Sequence, residues 1–173
     1  MNGPAYRRFQ LTLFLPEPTA SLVNDVRQRW DPIMAARIDP HVTVLRRIAN
    51  PESALSTIRR DPRVRACRLR LDGVGHAAAG ERGGIFVKVV DVAGDLAVLW
   101  DALREADNHA EIQPHPHVTL LHPRTMPPER MDAAWRELAE WQISAEIVID
   151  EIVAIGETTD SWKTIATTSL MSR

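Results

Sequence analysis

One cysteine, Cys67, stands in 173 residues. That excludes an internal disulfide framework and any cysteine-rich metal site. Lysine is nearly as scarce: of the 21 basic residues only Lys88 and Lys163 are lysine, a bias with no functional weight of its own. Neither sign of charge is in excess. The net charge of −2 gives the whole molecule no long-range attraction for polyanions, so any nucleic-acid contact must come from a local basic patch. Long apolar runs are missing too. No stretch reaches the ~20 residues of a membrane span. The first fifteen residues carry Arg7 and Arg8, and Pro16 and Glu17 cut their apolar run too short for a signal peptide. The expectation is a cytoplasmic chain with no membrane partner. What remains, 45% hydrophobic and 25% charged residues, is ordinary for a globular protein. The length suits one domain, or two small lobes sharing a core.

Against this plain background one stretch occurs twice. His41-Val42-Thr43-Val44-Leu45 follows Asp39-Pro40, and His117-Val118-Thr119-Leu120-Leu121 follows His115-Pro116. Valine, leucine and threonine favour a half-buried pleated backbone, so both copies read as strands. Strand side chains alternate faces. Each copy therefore shows an imidazole and a hydroxyl on one face and apolar anchors on the other. With 6 His and 11 Thr in the chain, a His-x-Thr triplet is expected roughly 0.4 times by chance. Two hits, each in a strand-like context and each after a proline, exceed that.

The surroundings repeat as well. Residues 9–15 alternate as a strand, with Phe9, Leu11, Leu13 and Leu15 on one face and Gln10, Thr12 and Phe14 on the other. A helix is expected over 19–30. After the His41 strand, Asn50 caps a second helix with Pro51 at its first position, and 64–71 alternate as a strand. Residues 72–84 hold five of the eight glycines and read as a flexible connection, with His76 as a loop residue. The pattern then restarts: strand 85–90, helix 94–107, the His117 strand, a helix from Pro127-Pro128 to about Trp141, one strand over 143–153 and another over 162–170. Phe9 precedes His41 by 32 residues, and Ile85 precedes His117 by 32. This points to an internal duplication with lobe-like halves of about 1–72 and 85–173 joined by the Gly-rich segment 73–84. A pseudo-two-fold axis would face the two His-x-Thr strands across a cleft.

At this point the sequence resembles the 2H phosphoesterase superfamily, the 2′-5′ RNA ligase-like or RNA 2′,3′-cyclic phosphodiesterase group. The resemblance rests on the paired motifs, His41-Val42-Thr43-Val44 and His117-Val118-Thr119-Leu120, and on Leu13-Phe14-Leu15-Pro16-Glu17-Pro18, which is similar to the group's first strand and its turn into a helix. It implies a duplicated two-lobe α+β fold, with antiparallel sheets around a central cleft and helices outside. It also implies opening of 2′,3′-cyclic phosphates of RNA ends or small nucleotides, with 2′-5′ RNA ligation as the reverse sense. A basic or aromatic residue often follows the group's second motif; here His122-Pro123-Arg124 follows, and Arg46-Arg47 follow the first.

Opening a cyclic phosphodiester needs a base to activate water and an acid to protonate the leaving ribose oxygen. Two histidines flanking a phosphorus supply both without a metal or other cofactor. An unperturbed pKa of about 6.5 lets one imidazole be neutral while the other is charged. Thr43 and Thr119 can donate to the non-bridging oxygens as charge develops. The resemblance implies His41 as acid and His117 as base. By strand parity Arg47 shares the His41 face, and Arg124 lies opposite His117 unless the chain bends; either can bind phosphate. Phe14, Phe86 and Lys88 are further cleft candidates, and Phe86 or Trp162 could stack a base. A monomer is expected.

Two rival readings stand beside this one. The first is a non-catalytic nucleotide- or RNA-binding module on the same fold, which the presence of both histidines disfavours. The second is a metal site drawn from His109, His115, His117 and His122, which would lack an acidic partner and leave His41 unexplained.

Overall fold

Short polar side chains and prolines set where helices begin. The computed structural model describes residues 5–77, 83–106, 111–113 and 115–172. In chain order these form β1 (Phe9–Phe14), α1 (Thr19–Trp30), α2 (Pro32–Arg37), β2 (His41–Arg46), α3 (Pro51–Arg60), β3 (Cys67–Ala77) and β4 (Gly84–Asp91). Then follow α4 (Asp95–Ala106), β5 (Glu111–Ile112), β6 (His117–Leu121), α5 (Pro128–Leu138), β7 (Ser144–Ile149), β8 (Glu151–Glu157) and β9 (Trp162–Ser169). Asn50 caps α3 as its sequence requires, its Oδ1 accepting from the Ser53 N–H at 3.0 Å, with Pro51 in the first turn. Asp31 and Pro32 do the same for α2, with Oδ1 accepting from the Met34 N–H at 3.1 Å. At six residues α2 is too short to show a period, and the sequence reading missed it.

The nine strands form one antiparallel sheet in the order β7-β3-β4-β6-β2-β1-β8-β9, with β5 paired to β2. The expected strand over 143–153 is in fact two. Asp150 ends β7, which pairs β3 near one edge, and begins the turn into β8, which pairs β1 near the other. Consecutive Cα atoms are ~3.8 Å apart, and six strand spacings of a flat sheet span ~29 Å. One intervening residue can make that connection only because the sheet curls until its edges meet. A bridge between Arg65 and Met171 marks the seam.

The halves of the sequence also interleave. β3, from the first half, pairs β4 of the second, while β8 and β9 pair onto β1. The Gly-rich stretch is largely strand where it is described: 72–77 lie in β3 and Gly84 in β4, the two forming a hairpin, and 78–82 lie outside the described residues. Gly73, at φ +71°, sits where that ladder slips between Leu71 and Val74, a left-handed conformation that glycine adopts without a Cβ penalty.

One face of the sheet carries the main core. Val23, Leu55, Leu99 and Ala134 from α1, α3, α4 and α5 bury against Leu13, Val42, Leu71 and Val118. A smaller apolar cluster of Ile38, Val153 and Ile155, with Phe14, Met34 and Trp162 packed on it, lies on the opposite face of β1 and β8. Among the described residues no helix is long and apolar enough to cross a membrane.

Candidate active site

β2 and β6 meet at the centre of the sheet, antiparallel, with Val42 opposite Val118. These are corresponding residues of the two copies of the motif, so the local pseudo-two-fold axis passes between them. The register then sets His41 opposite Thr119 and Thr43 opposite His117. All four lie on the face away from the main core and are half-buried, whereas Val42 and Val118 are fully buried.

Both imidazoles are held the same way. Nδ1 of His41 bonds the carbonyl of Asp39 at 2.8 Å, and Nδ1 of His117 bonds the carbonyl of His115 at 2.8 Å. A carbonyl only accepts, so Nδ1 carries the proton and Nε2 of each ring is the free, basic nitrogen. The Gln10 amide nitrogen lies 3.4 Å from His41 Nε2 and also donates to Thr12 Oγ1 at 3.0 Å. Burial drives the His41 pKa down to about 4, with the Asp39 carbonyl opposing and the charges of Arg27, His117 and Arg46 adding to the fall. His117 is lowered too, chiefly by burial, with Arg46 and His115 contributing. Neither Thr43 nor Thr119 has a side-chain hydrogen bond to protein among the described residues, so both hydroxyls are available to a ligand.

A matched irregularity in the two strands decides which basic residues join the histidines. In the β1–β2 ladder Leu11 pairs Leu45 but Thr12 pairs Thr43, so Val44 is an extra residue. In the β4–β6 ladder Ile85 pairs Leu121 but Phe86 pairs Thr119, so Leu120 is extra. Each bulge buries two consecutive apolar residues and reverses the alternation beyond it. Arg46 therefore comes onto the His41 face, opposite Gln10, and its charge acts on both imidazoles. His122 comes to the corresponding place after the second copy. Its Nδ1 accepts from the Arg124 N–H at 3.1 Å, and burial lowers its pKa.

This corrects the parity argument for Arg47. Arg47 sits at φ 52°, exposed, paired with Glu111 at 3.4 Å. Arg124 is exposed and reaches this region through its backbone N–H. The signal for Arg46 was present in the sequence: Val44-Leu45 and Leu120-Leu121, two apolar residues in a row ending an alternating strand, mark a bulge.

Three side chains outside the paired motifs hold these strands in place. Trp100 of α4 donates from Nε1 to the Val44 carbonyl at 3.2 Å, satisfying the group that the bulge leaves without a ladder partner. Arg27, buried in α1, donates to the carbonyls of Met34 and Ile38 at 3.1 and 2.6 Å and so fixes the chain entering His41. Asp31, nearly fully buried, accepts at Oδ2 from the His122 N–H at 2.9 Å and from the Thr125 hydroxyl at 2.6 Å. One helix corner thus anchors the approach to the first motif and the exit from the second.

The flanking candidates fall into two groups. Phe14 pairs His41 across the ladder, with ring centroids 5.9 Å apart and edge-on. Lys88 pairs His117, and Phe86 pairs Thr119 with its ring 5.2 Å from that of His117. The ladders thus align Phe14 with Lys88 and Thr12 with Phe86, two residues away from the equal 32-residue spacing; the shift of two preserves the face. Trp162 packs in the smaller apolar cluster under the Arg8 guanidinium, 5.1 Å from its ring centre. Among the described residues no group of three or more His, Cys, Asp or Glu is placed to hold a metal. His115 is exposed, and His109 lies outside the described residues.

No curated protein matches the chain. Among solved structures, Escherichia coli LigT complexed with phosphate is 18% identical at a TM-score of 0.60, covering 98% of this chain and 99% of that one. TT0787 of Thermus thermophilus is 18% identical at 0.62, covering 96% and 99%. A structure described as a phosphoesterase is 15% identical at 0.54, covering 95% and 98%. These likenesses establish the fold. The model of the 2′-5′ RNA ligase superfamily matches residues 15–160; with that match across most of its length, the chain belongs to the 2′-5′ RNA ligase superfamily, the 2H phosphoesterases.

Proposed function

We propose that this protein is a metal-independent phosphodiesterase that opens 2′,3′-cyclic phosphates of RNA ends or nucleotides, with His41 and His117 as the acid–base pair. The carrying observation is the matched pair of Nδ1–carbonyl bonds, which leaves both basic Nε2 atoms on one face beside two hydroxyls that have no hydrogen-bond partner among the described residues. A phosphate between the rings would receive Thr43 and Thr119 on its non-bridging oxygens and the charge of Arg46 from the side. LigT structures complexed with phosphate, with 3′-AMP and with ATP are consistent with such a ligand here.

The reaction runs in line. One Nε2 takes a proton from water as its oxygen attacks phosphorus. The bond from phosphorus to the 3′ oxygen breaks, and the other imidazolium protonates that oxygen, leaving a 2′-phosphate. Burial drives His41 to about 4 and so disfavours a charge there before a ligand binds, and the charge of Arg27 adds to that pressure. A bound phosphate's negative charge favours protonation of both rings. The family resemblance implies His41 as acid and His117 as base, and the pH profiles of the single-histidine variants assign the roles.

The test is turnover of nucleoside 2′,3′-cyclic phosphates in chelator, with the product isomer identified. Hydrolysis to a 2′-phosphate that survives the chelator is expected. Tight binding of the cyclic phosphate without turnover would favour the non-catalytic binding module instead.

A further inference from the structure

From the histidine pair the same face of the sheet runs outward over β4, β3 and β7, and no apolar cluster of the described residues covers it. Arg68 and Arg70 alternate with the buried Cys67, Leu69 and Leu71, so they point to the histidine face. Lys88 lies opposite His117, Val90 follows it on the same face, Arg70 lies opposite Val90, and Arg68 stands two residues further along β3. Strand spacing and rise place Arg70 roughly 8 Å from Lys88 and Arg68 about 7 Å beyond Arg70. This spacing suits successive phosphates of one nucleic-acid strand. The cationic heads of Lys88, Arg70 and Arg68 form no ion pair among the described residues. Among the described residues Asp72, Glu146 opposite Arg70, and Asp150, which shares a surface pocket with Arg68, form no ion pair either. The strip is bordered by Phe86, whose ring lies over Gly75, where an added Cβ would come within 2.6 Å of it.

We propose that this strip, Lys88–Arg70–Arg68, binds the backbone of a single-stranded oligonucleotide whose terminal phosphate sits between His41 and His117. The inference rests on the phosphodiesterase reading and deepens it: the preferred substrate is a strand end rather than a mononucleotide. The occupant follows from charge complementarity and from direct continuity with the histidines. The chain's net charge of −2 makes a local basic strip the means of holding a polyanion.

The experiment compares a nucleoside 2′,3′-cyclic phosphate with a short oligonucleotide carrying the same end, in wild type and in the double variant Arg68→Ala/Arg70→Ala. Among the described residues neither side chain has a hydrogen-bond or ion-pair partner, so the variant is expected to keep the fold. Wild type is expected to show the lower KM on the oligonucleotide. The double variant raises that KM roughly 2- to 10-fold per lost contact, leaves mononucleotide turnover unchanged, and reduces the salt dependence of oligonucleotide binding by a slope of about 0.7 per contact. Equal KM for the two substrates in wild type, or an unchanged oligonucleotide KM in the variant, overturns the strip. Turnover of neither substrate overturns the phosphodiesterase reading instead. Fluorescence anisotropy of a labelled oligonucleotide ending in a 3′-phosphate then decides the strip alone: weaker binding by the variant supports it, whereas equal binding or none by wild type overturns it.

Discussion

The two sides of the histidine face are built from corresponding strands yet differ in chemistry. On the β2-β1-β8-β9 side, α2 and the chain after it fold over the sheet, and Ile38, Val153 and Ile155 are buried beneath Met34, Phe14 and Trp162. On the β6-β4-β3-β7 side no apolar cluster of the described residues packs on that face: Lys88, Arg68 and Val148 are exposed. Duplication gives the centre its symmetry, with Val42 against Val118, two Nδ1–carbonyl bonds and two bulges. Away from the axis each strand has been free to differ. The functional demand on two-histidine chemistry is symmetric in geometry and asymmetric in charge, since one ring must be neutral while the other is protonated. The corner of α1 and α2, present on one side, brings the charge of Arg27 to bear on His41.

The strongest way to break the comparison is to remove the rings themselves. His41→Ala and His117→Ala should each lower turnover of a cyclic phosphate by roughly 10²–10⁴-fold. The double variant should be far less than multiplicatively worse, because the two act as a unit. Their pH profiles sharpen the assignment of roles: the limb of kcat that disappears identifies the ring removed as base or acid. In wild type, the kcat/KM bell should lie below the ordinary imidazole range, because burial lowers both rings in the free protein. The kcat bell should lie higher, because the bound phosphate raises them.

Next in size is the pair of adjacent arginines. Arg46→Ala should cost about 10- to 100-fold in kcat/KM, the usual loss for a charged hydrogen bond to phosphate. Arg47→Ala, which removes an exposed ion pair with Glu111, should change little. An equal loss from both would mean that the bulge does not set the face. Smaller again, Thr43→Val or Thr119→Val should reduce turnover by a few-fold to about tenfold while leaving the melting temperature nearly unchanged, since no protein partner is orphaned. Lost stability with intact turnover would remove that threonine from the site.

The remaining effect is on stability rather than turnover. The folded-state pKa of His41, about 4, lies below the unfolded value near 6.5. Between these values the unfolded chain binds the extra proton, so stability is full above about pH 6.5 and falls as the pH drops towards 4. Thermal melts across that window should show a shallower decline for His41→Asn than for wild type.

Much of the centre was legible in the chain itself. Alternation placed β1, β2, β4 and β6, and it placed His41 and Thr43 together because strand periodicity is local and survives without neighbours. Asn50-Pro51 marked the start of α3 for the same reason: a cap acts over three residues. What spacing could not convey was register. The 32-residue repeat put Phe9 beside Ile85, whereas the ladders align Phe14 with Lys88, because pairing answers to bulges and packing rather than to distance along the chain. Sequence order likewise suggests two contiguous halves, yet β3 crosses to β4 while β8 and β9 cross to β1, so that each side of the sheet contains strands from both halves of the chain.

The amino-acid sequence by itself determined the paired motifs, the alternation of their faces and hence the kind of chemistry they can do. Tertiary structure decided which charges attend that chemistry. Val44 and Leu120 had to be accommodated in a buried core, the two bulges that resulted turned Arg46 and His122 towards the histidines, and Arg47 was turned away. Burial then lowered both imidazoles. Proton affinity depends on solvation and neighbouring charge, quantities that exist only once distant segments such as Arg27, Asp31 and the two strands have been brought together.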